Sequence, residues 1–389
     1  MNFLKSFEKI FAYTSLMDYI TDDEIKDMFN ITDPSNIRDF ISDMDTSITP
    51  DTNNLKTIIF NSIKQLTDLR IGIDKIITST PEESIKKGTY ATVYMDPSDK
   101  KEKIVVKMSP LGSNSKVQLD QMYHLFFEAI ITKIMYKISK EIPCFQSPNV
   151  YKCGMHLDNT VIIMEQIDAH PFYDKKVDPV KAIKSLANTL HILQDIVSFS
   201  HRDLHVGNCM YKNGNTCIID YGFACISMPP YNNMSVQDLF GYYRPKLQNN
   251  LYENNMSTSL KACENKSHDL CMIILSLNQT LKETNTTLNN WSKQISQGYI
   301  KEIREGYSKY TIARMIYDNK YRKGMRKYFF PNLPNIMDYT YYFLEKPPPF
   351  KYEKVLPYQW IYDMYEIQLN NFTPKVFLKE YTLKPCLKF

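Results

Sequence analysis

Two short polar motifs constrain this chain more than any other feature: His-Arg-Asp-Leu-His-Val-Gly-Asn at 201–208 and Ile-Ile-Asp-Tyr-Gly at 218–222. Between them, Asn213-Gly214-Asn215 separates two short apolar runs and reads as a tight β-hairpin, because Asn-Gly readily takes the positive φ such turns need. The hairpin folds the second motif back onto the first. Asp203 and Asp220, 17 positions apart, are therefore expected at one place. Upstream, Asp178-Pro179 opens a helix with a capping residue and a proline at the first position. Its stripe of Val180, Ile183, Leu186, Leu190 and Leu193 leads directly into the first motif.

Such a pairing suits phosphoryl transfer, which needs a carboxylate to orient the attacking hydroxyl and oxygen ligands for magnesium on the phosphates. Asp203 can accept the hydroxyl proton, Asn208 offers an amide oxygen, and Asp220 offers a carboxylate. An Asp/Asn-rich turn that merely caps helices would not explain both motifs and their spacing. The two motifs resemble the catalytic loop and metal-binding motif of the protein-kinase superfamily.

The resemblance covers about residues 84–330 and carries further roles with it. Lys107, at the end of an apolar strand, matches the phosphate-gripping lysine, and Glu128, on a helix 21 residues later, matches its partner. A buried lysine is costly unless paired. Residues 86–94 resemble the glycine-rich phosphate loop, but only Gly88 of three glycines is present, with Lys86 and Ala91 at the other positions. Val93, Val105, Met210 and Ile219 are implied to line the adenine pocket. Met164 is implied as gatekeeper, and the Glu165–Ile167 backbone as the adenine's hydrogen-bonding edge. Asp269 matches the helix aspartate that braces the catalytic loop. Arg202 resembles the arginine of kinases regulated by an activation-segment phosphate, for which Ser227, Tyr231 and Ser235 are available. His205 stands where most Ser/Thr kinases carry lysine, and no Ala-Pro-Glu motif follows Gly222. In these respects the chain is similar to haspin, a divergent Ser/Thr kinase, although haspin-like kinases carry Thr at the position of Gly222. The histidine-containing loop also resembles small-molecule kinases of the aminoglycoside-phosphotransferase type.

The order of strands, one helix among them, then a largely helical remainder predicts an α+β chain. The resemblance implies a bilobal protein-kinase-like fold with a small antiparallel-sheet N-lobe and a mainly helical C-lobe. The expected units are a helical N-terminal extension (1–80), an N-lobe (81–166), a C-lobe (167–330) and a Tyr-rich tail (331–389) packed on or extending the C-lobe. A net charge of +4 gives no reason to expect nucleic acid as a partner. Nine basic against three acidic residues between Lys301 and Lys327, with tyrosines interleaved, read as a solvated helical face with the tyrosines turned inward, or else as a surface for nucleic acid or an acidic substrate. Residues 42–53 imitate a calcium loop, but Ile48 and Asn54 stand where glycine and glutamate are required. No apolar run is long enough to span a membrane, and eight cysteines without a Cys-x-x-Cys pair read as reduced thiols in an intracellular protein, cytoplasmic or nuclear. The abundance of Asn, Lys, Ile and Tyr suggests an AT-rich genome such as that of a large DNA virus or a parasite.

The implied activity is transfer of the ATP γ-phosphate, with Mg²⁺, to Ser or Thr of a protein substrate. A small-molecule kinase is the rival enzyme, and a pseudokinase scaffold is the rival from another class. Residues 1–80 carry no readable chemistry and are expected to brace the small lobe or contact a partner.

Overall fold

The computed structural model describes residues 19–35, 38, 70–88, 91–95, 103–112, 115–226, 265–305, 355–356, 358–361 and 367–380. The architecture is mixed α+β. Strands β1 (Lys86–Lys87), β2 (Thr92–Met95), β3 (Ile104–Pro110), β5 (Val150–His156) and β6 (Asn159–Glu165) form an antiparallel sheet in the order β1-β2-β3-β6-β5. The expected hairpin is β2–β3, paired from Thr92↔Met108 to Met95↔Val105. Strand β3 then pairs with β6 along its whole length, which aligns Lys107 with Ile162.

Three helices cover this sheet or flank it. Helix α1 (Asp22–Phe29) starts on a capping box in which Thr21 and Glu24 exchange hydrogen bonds, and it buries Ile25, Met28 and Phe29. Helix α2 (Arg70–Ser79) buries Ile73 and Ile76 against Val106, Met108, Val161 and Ile163 of the sheet. Helix α3 (Ser115–Glu141) is apolar on several faces, with Met122, Phe126, Ala129, Ile130, Ile134 and Ile138 at most 1% exposed. A helix apolar all round must be covered all round.

A second, four-stranded sheet has the order β4-β9-β8-β7, from β4 (Phe145–Gln146), β7 (His170–Pro171), β8 (Cys209–Lys212) and β9 (Asn215–Ile218). Helix α4 (Pro179–Val197) lies beside it, its N–H groups of Val180 and Lys181 capped by the Asp178 carboxylate. Asn213 and Gly214 turn β8 into β9 with φ of 52° and 91°. Helices α5 (His268–Thr280) and α6 (Thr286–Glu305) complete the helical part, and its interior is continuous with the side of α3 that faces it.

Several described tail residues are built into this part. The His268 ring contacts the carbonyl of Ile361 in α7 (Tyr358–Ile361), and Phe377 of α8 (Pro374–Glu380) stacks edge-on against Trp291. Of the described cysteines, Cys144, Cys153, Cys209, Cys217 and Cys271 are free and buried. Cys225 is disulfide-bonded, which corrects the expectation of reduced thiols throughout. No helix among the described residues is long and apolar enough to cross a membrane. The calcium-like stretch at 42–53, Ser227, Tyr231, Ser235 and most of the basic run after Lys301 lie outside the described residues.

Candidate active site

Lys107 stands at the centre of the site. Strand β3 delivers it, and its Nζ donates to Glu128 Oε1 at 2.6 Å and to Asp220 Oδ1 at 2.8 Å. These partners are 21 and 113 residues away in sequence, on α3 and just past β9. Burial opposes the ammonium, but the charges of Asp220 and Glu128 outweigh it and raise the Lys107 pKa. Two carboxylates share this one cation, and they are not equivalent. Glu128 is almost wholly buried, and that burial pushes its carboxyl up. Asp220 keeps 42% of its side chain in solvent. Its partial burial works against ionisation, yet the Lys107 ammonium prevails and holds the carboxyl down to about 2. Asp220 is therefore the permanent anion of the pair.

The loop at 201–208 is held from below by Asp269, 1% exposed on α5. Its Oδ2 accepts from the His201 N–H at 2.6 Å and its Oδ1 from the Arg202 N–H at 2.8 Å. Burial raises the Asp269 pKa, but hydrogen bonding and charge from His268 outweigh it, so Asp269 stays ionised. Arg202 and Asp220 both adopt left-handed backbone, with φ of 63° and 64°. For a side chain with a Cβ this conformation costs on the order of 1 kcal/mol. It persists where surrounding bonds fix it, and such strain clusters at functional sites. At Arg202 the fixing bonds are the Asp269 contact and Nε donating to the Phe223 carbonyl at 2.7 Å. At Asp220 it is the bond from Lys107.

The remaining loop residues are oriented by one another. Asn208 donates its Nδ2 to the Asp203 carbonyl at 2.9 Å, which leaves Oδ1 as the lone-pair end of the amide. The Asn208 carbonyl accepts from the Ile219 N–H at 3.1 Å, so the hairpin closes with Asn208 beside Asp220. His205 Nδ1 accepts from the Gly207 N–H at 3.0 Å, and burial lowers the ring's pKa despite the Asp203 charge. The neutral ring therefore carries its proton on Nε2, 4.0 Å from Asp203 Oδ1. Gly207 leaves room for this ring position: a Cβ there would meet His205 Cε1 at 2.7 Å and displace the ring.

Val93, Val105, Met164, Met210 and Ile219, the residues implied for the adenine pocket, are each half-buried. In the segment after β6 the Glu165 N–H donates to the Asn149 carbonyl, the Gln166 N–H to the Lys103 carbonyl and the Ala169 N–H to the Ile167 carbonyl, so the first two donors are used within the fold. At Gly88 the N–H closes a turn onto Ala91 at 2.8 Å, and residues 89 and 90 of that loop are outside the described set.

Sequence reasoning missed three contributors: His124, which lies over Gly222; Tyr358, whose ring is 6.2 Å from His205; and the left-handed backbone at Arg202 and Asp220. Only the glycine at 222 could have hinted at the first.

The donor set suits a hard cation held together with phosphate. Asp220 offers an ionised, half-exposed carboxylate and Asn208 an amide oxygen. Among the described residues no group of three or more His, Cys, Asp or Glu could hold a metal by itself.

No protein-family model matches the chain, and no curated protein matches it. Among solved structures it is similar to WbdD in complex with the kinase inhibitor LY294002, at TM-score 0.28 and 17% identity over 38% of this chain and 33% of that one. It is also similar to a twitchin kinase fragment from C. elegans, at TM-score 0.27 and 14% identity over 36% of this chain and 32% of that one. The chain thus spans about a third of the length of either. Scores of this size do not decide a fold.

Proposed function

We propose that this chain is an ATP-dependent phosphotransferase of the protein-kinase fold that transfers the γ-phosphate to Ser or Thr of a protein. The observation that carries the reading is the convergence of Lys107, Glu128 and Asp220 from three distant segments, beside a loop held by Asp269. A bound magnesium ion would neutralise charge on the transferring phosphate, and Asp220 and Asn208 are the residues to hold it. Lys107, kept in place by Glu128, grips the nucleotide phosphates. Asp203 orients the acceptor hydroxyl and takes its proton. His205 adds a single neutral donor from Nε2 where most Ser/Thr kinases carry a lysine.

One observation favours the small-molecule rival. The Arg202 Nε is engaged by the Phe223 carbonyl, and the side chain is 4% exposed, so its presence is explained without a phosphate to read. Incubation with labelled ATP and magnesium, offering generic proteins and a panel of sugars, choline and aminoglycosides, separates the readings. Label on protein Ser or Thr is expected. Label only on a metabolite would replace the acceptor, and no transfer with no nucleotide-dependent thermal shift would leave the scaffold reading.

A further inference from the structure

Glu128 looks toward Lys107 from one side of α3, and the opposite side is covered by α1. Phe126 and Lys137 lie roughly 160–180° around the helix from Glu128 at 3.6 residues per turn. Phe29 of α1 stacks on Phe126 with ring centroids 5.1 Å apart and planes 28° from parallel. Both rings are 0% exposed. Beside them Glu24 Oε1 sits 2.5 Å from Lys137 Nζ and 3.8 Å from Lys133 Nζ, while its Oε2 accepts from the Thr21 N–H and closes the capping box. Partial burial works against the Glu24 charge, but the bond from Lys137 outweighs it and lowers the pKa, so the contact is ionic at neutral pH.

Helix α1 is itself tied to the sheet. Lys152 on β5 donates to the Asp27 carbonyl at 2.6 Å and pairs with its carboxylate. Cys153 Sγ donates weakly to the Met28 carbonyl. Strand β5 pairs with β6, and β6 with β3, which carries Lys107. A chain of contacts therefore runs from Lys107 through the sheet to α1, and from α1 to the back of the helix that carries Glu128.

We propose that α1 is a built-in positioning element that keeps Glu128 within reach of Lys107, with Phe29 and Glu24 as its positioning residues. The inference rests on the phosphotransferase reading for its effect on turnover, but not for its effect on Lys107.

Two variants test it in the full chain. Phe29→Ala removes the ring stack, and Lys137→Glu places like charges together at a site 37% exposed, where folding is not at risk. Transfer is measured together with the rate at which an amine-reactive ester labels Lys107. We expect kcat to fall about tenfold in Phe29→Ala and about threefold in Lys137→Glu, with Lys107 labelling raised by similar factors. In a Glu128→Gln background neither change should lower kcat by more than about twofold, because the residue being positioned is gone. Labelling of Lys107 at the wild-type rate in both variants would overturn the proposal whatever the activity. So would an undiminished loss of kcat in the Glu128→Gln background, which marks a merely structural role. Raised labelling in the variants of a protein whose wild type transfers nothing would instead uphold the positioning and overturn the phosphotransfer reading.

Discussion

His124 on α3 lies so close over Gly222 that a Cβ on the glycine would meet the imidazole Nε2 at 2.8 Å. The same ring stands edge-on to Phe223, with centroids 5.7 Å apart. The helix that carries Glu128 is thereby seated on the segment that carries Asp220, with no room for a side chain between them. This accounts for a glycine at 222.

Gly222→Ala is expected to destabilise the protein by about 1–3 kcal/mol, the usual penalty for overpacking a filled site. The penalty should largely vanish in a His124→Ala background, where the added methyl group meets no ring. Chemical denaturation of the four proteins in this cycle measures the coupling. Equal penalties in both backgrounds would show that the ring is not the obstacle.

Asp203→Asn should lower turnover by about 100-fold or more and leave nucleotide binding intact, since a neutral amide cannot take the hydroxyl proton. Steady-state transfer together with a thermal-shift titration of Mg-ATP separates the two effects. Turnover within a few-fold of wild type would remove Asp203 from the proposed base role.

Asp269 receives two buried N–H groups from a loop whose Arg202 is in left-handed backbone. Asp269→Ala orphans both donors, and the expected loss is about 3 kcal/mol or more. Asp269→Asn keeps one acceptor and should lose about half as much. Urea midpoints at constant slope report the difference. A loss for Asn as large as for Ala would place the effect in the charge and not in the two hydrogen bonds.

Much of this architecture is legible in local sequence, because the signals are local. Asp178-Pro179 caps α4, Asn213-Gly214 turns β8 into β9, and the apolar positions of α3 are buried where periodicity puts them. Lys107 and Glu128 could be paired in advance because motif order fixes their register. Strand β5 was not expected. Its Val-Tyr-Lys-Cys-Gly-Met-His run breaks the two-residue alternation, and its pairing shifts between Val150 and Lys152. The last expected strand also ends early: β9 stops at Ile218, and Asp220 turns out of the ladder with positive φ. Helix α1 shows Ile25, Met28 and Phe29 at helical spacing, but nothing in those residues names the back of α3 as the surface they cover. The partners of the Glu165 and Gln166 N–H groups, the carbonyls of Asn149 and Lys103, come from segments that only the folded chain brings near.

His124 also gives the protein a measurable response to acid. Burial first, and then the neighbouring Lys107 ammonium, push its pKa down from the usual 6.5 to about 4. The unfolded chain, with an ordinary histidine, takes up its proton first as the pH falls. Stability from the neutral ring is therefore complete above pH 6.5, declines by about 1.4 kcal/mol per pH unit between 6.5 and 4, and then levels off. Asp220, held near 2, adds slope of its own only toward pH 4, where the unfolded aspartate begins to take up a proton, and it does so in wild type and variant alike. His124→Gln should flatten the dependence of unfolding free energy on pH in this window, measured with a chelator present so that no metal occupies the neighbouring carboxylate. A variant whose profile parallels wild type from pH 6.5 to 4 would mean that the ring is protonated in the folded protein, and that its seat over Gly222 tolerates a charge.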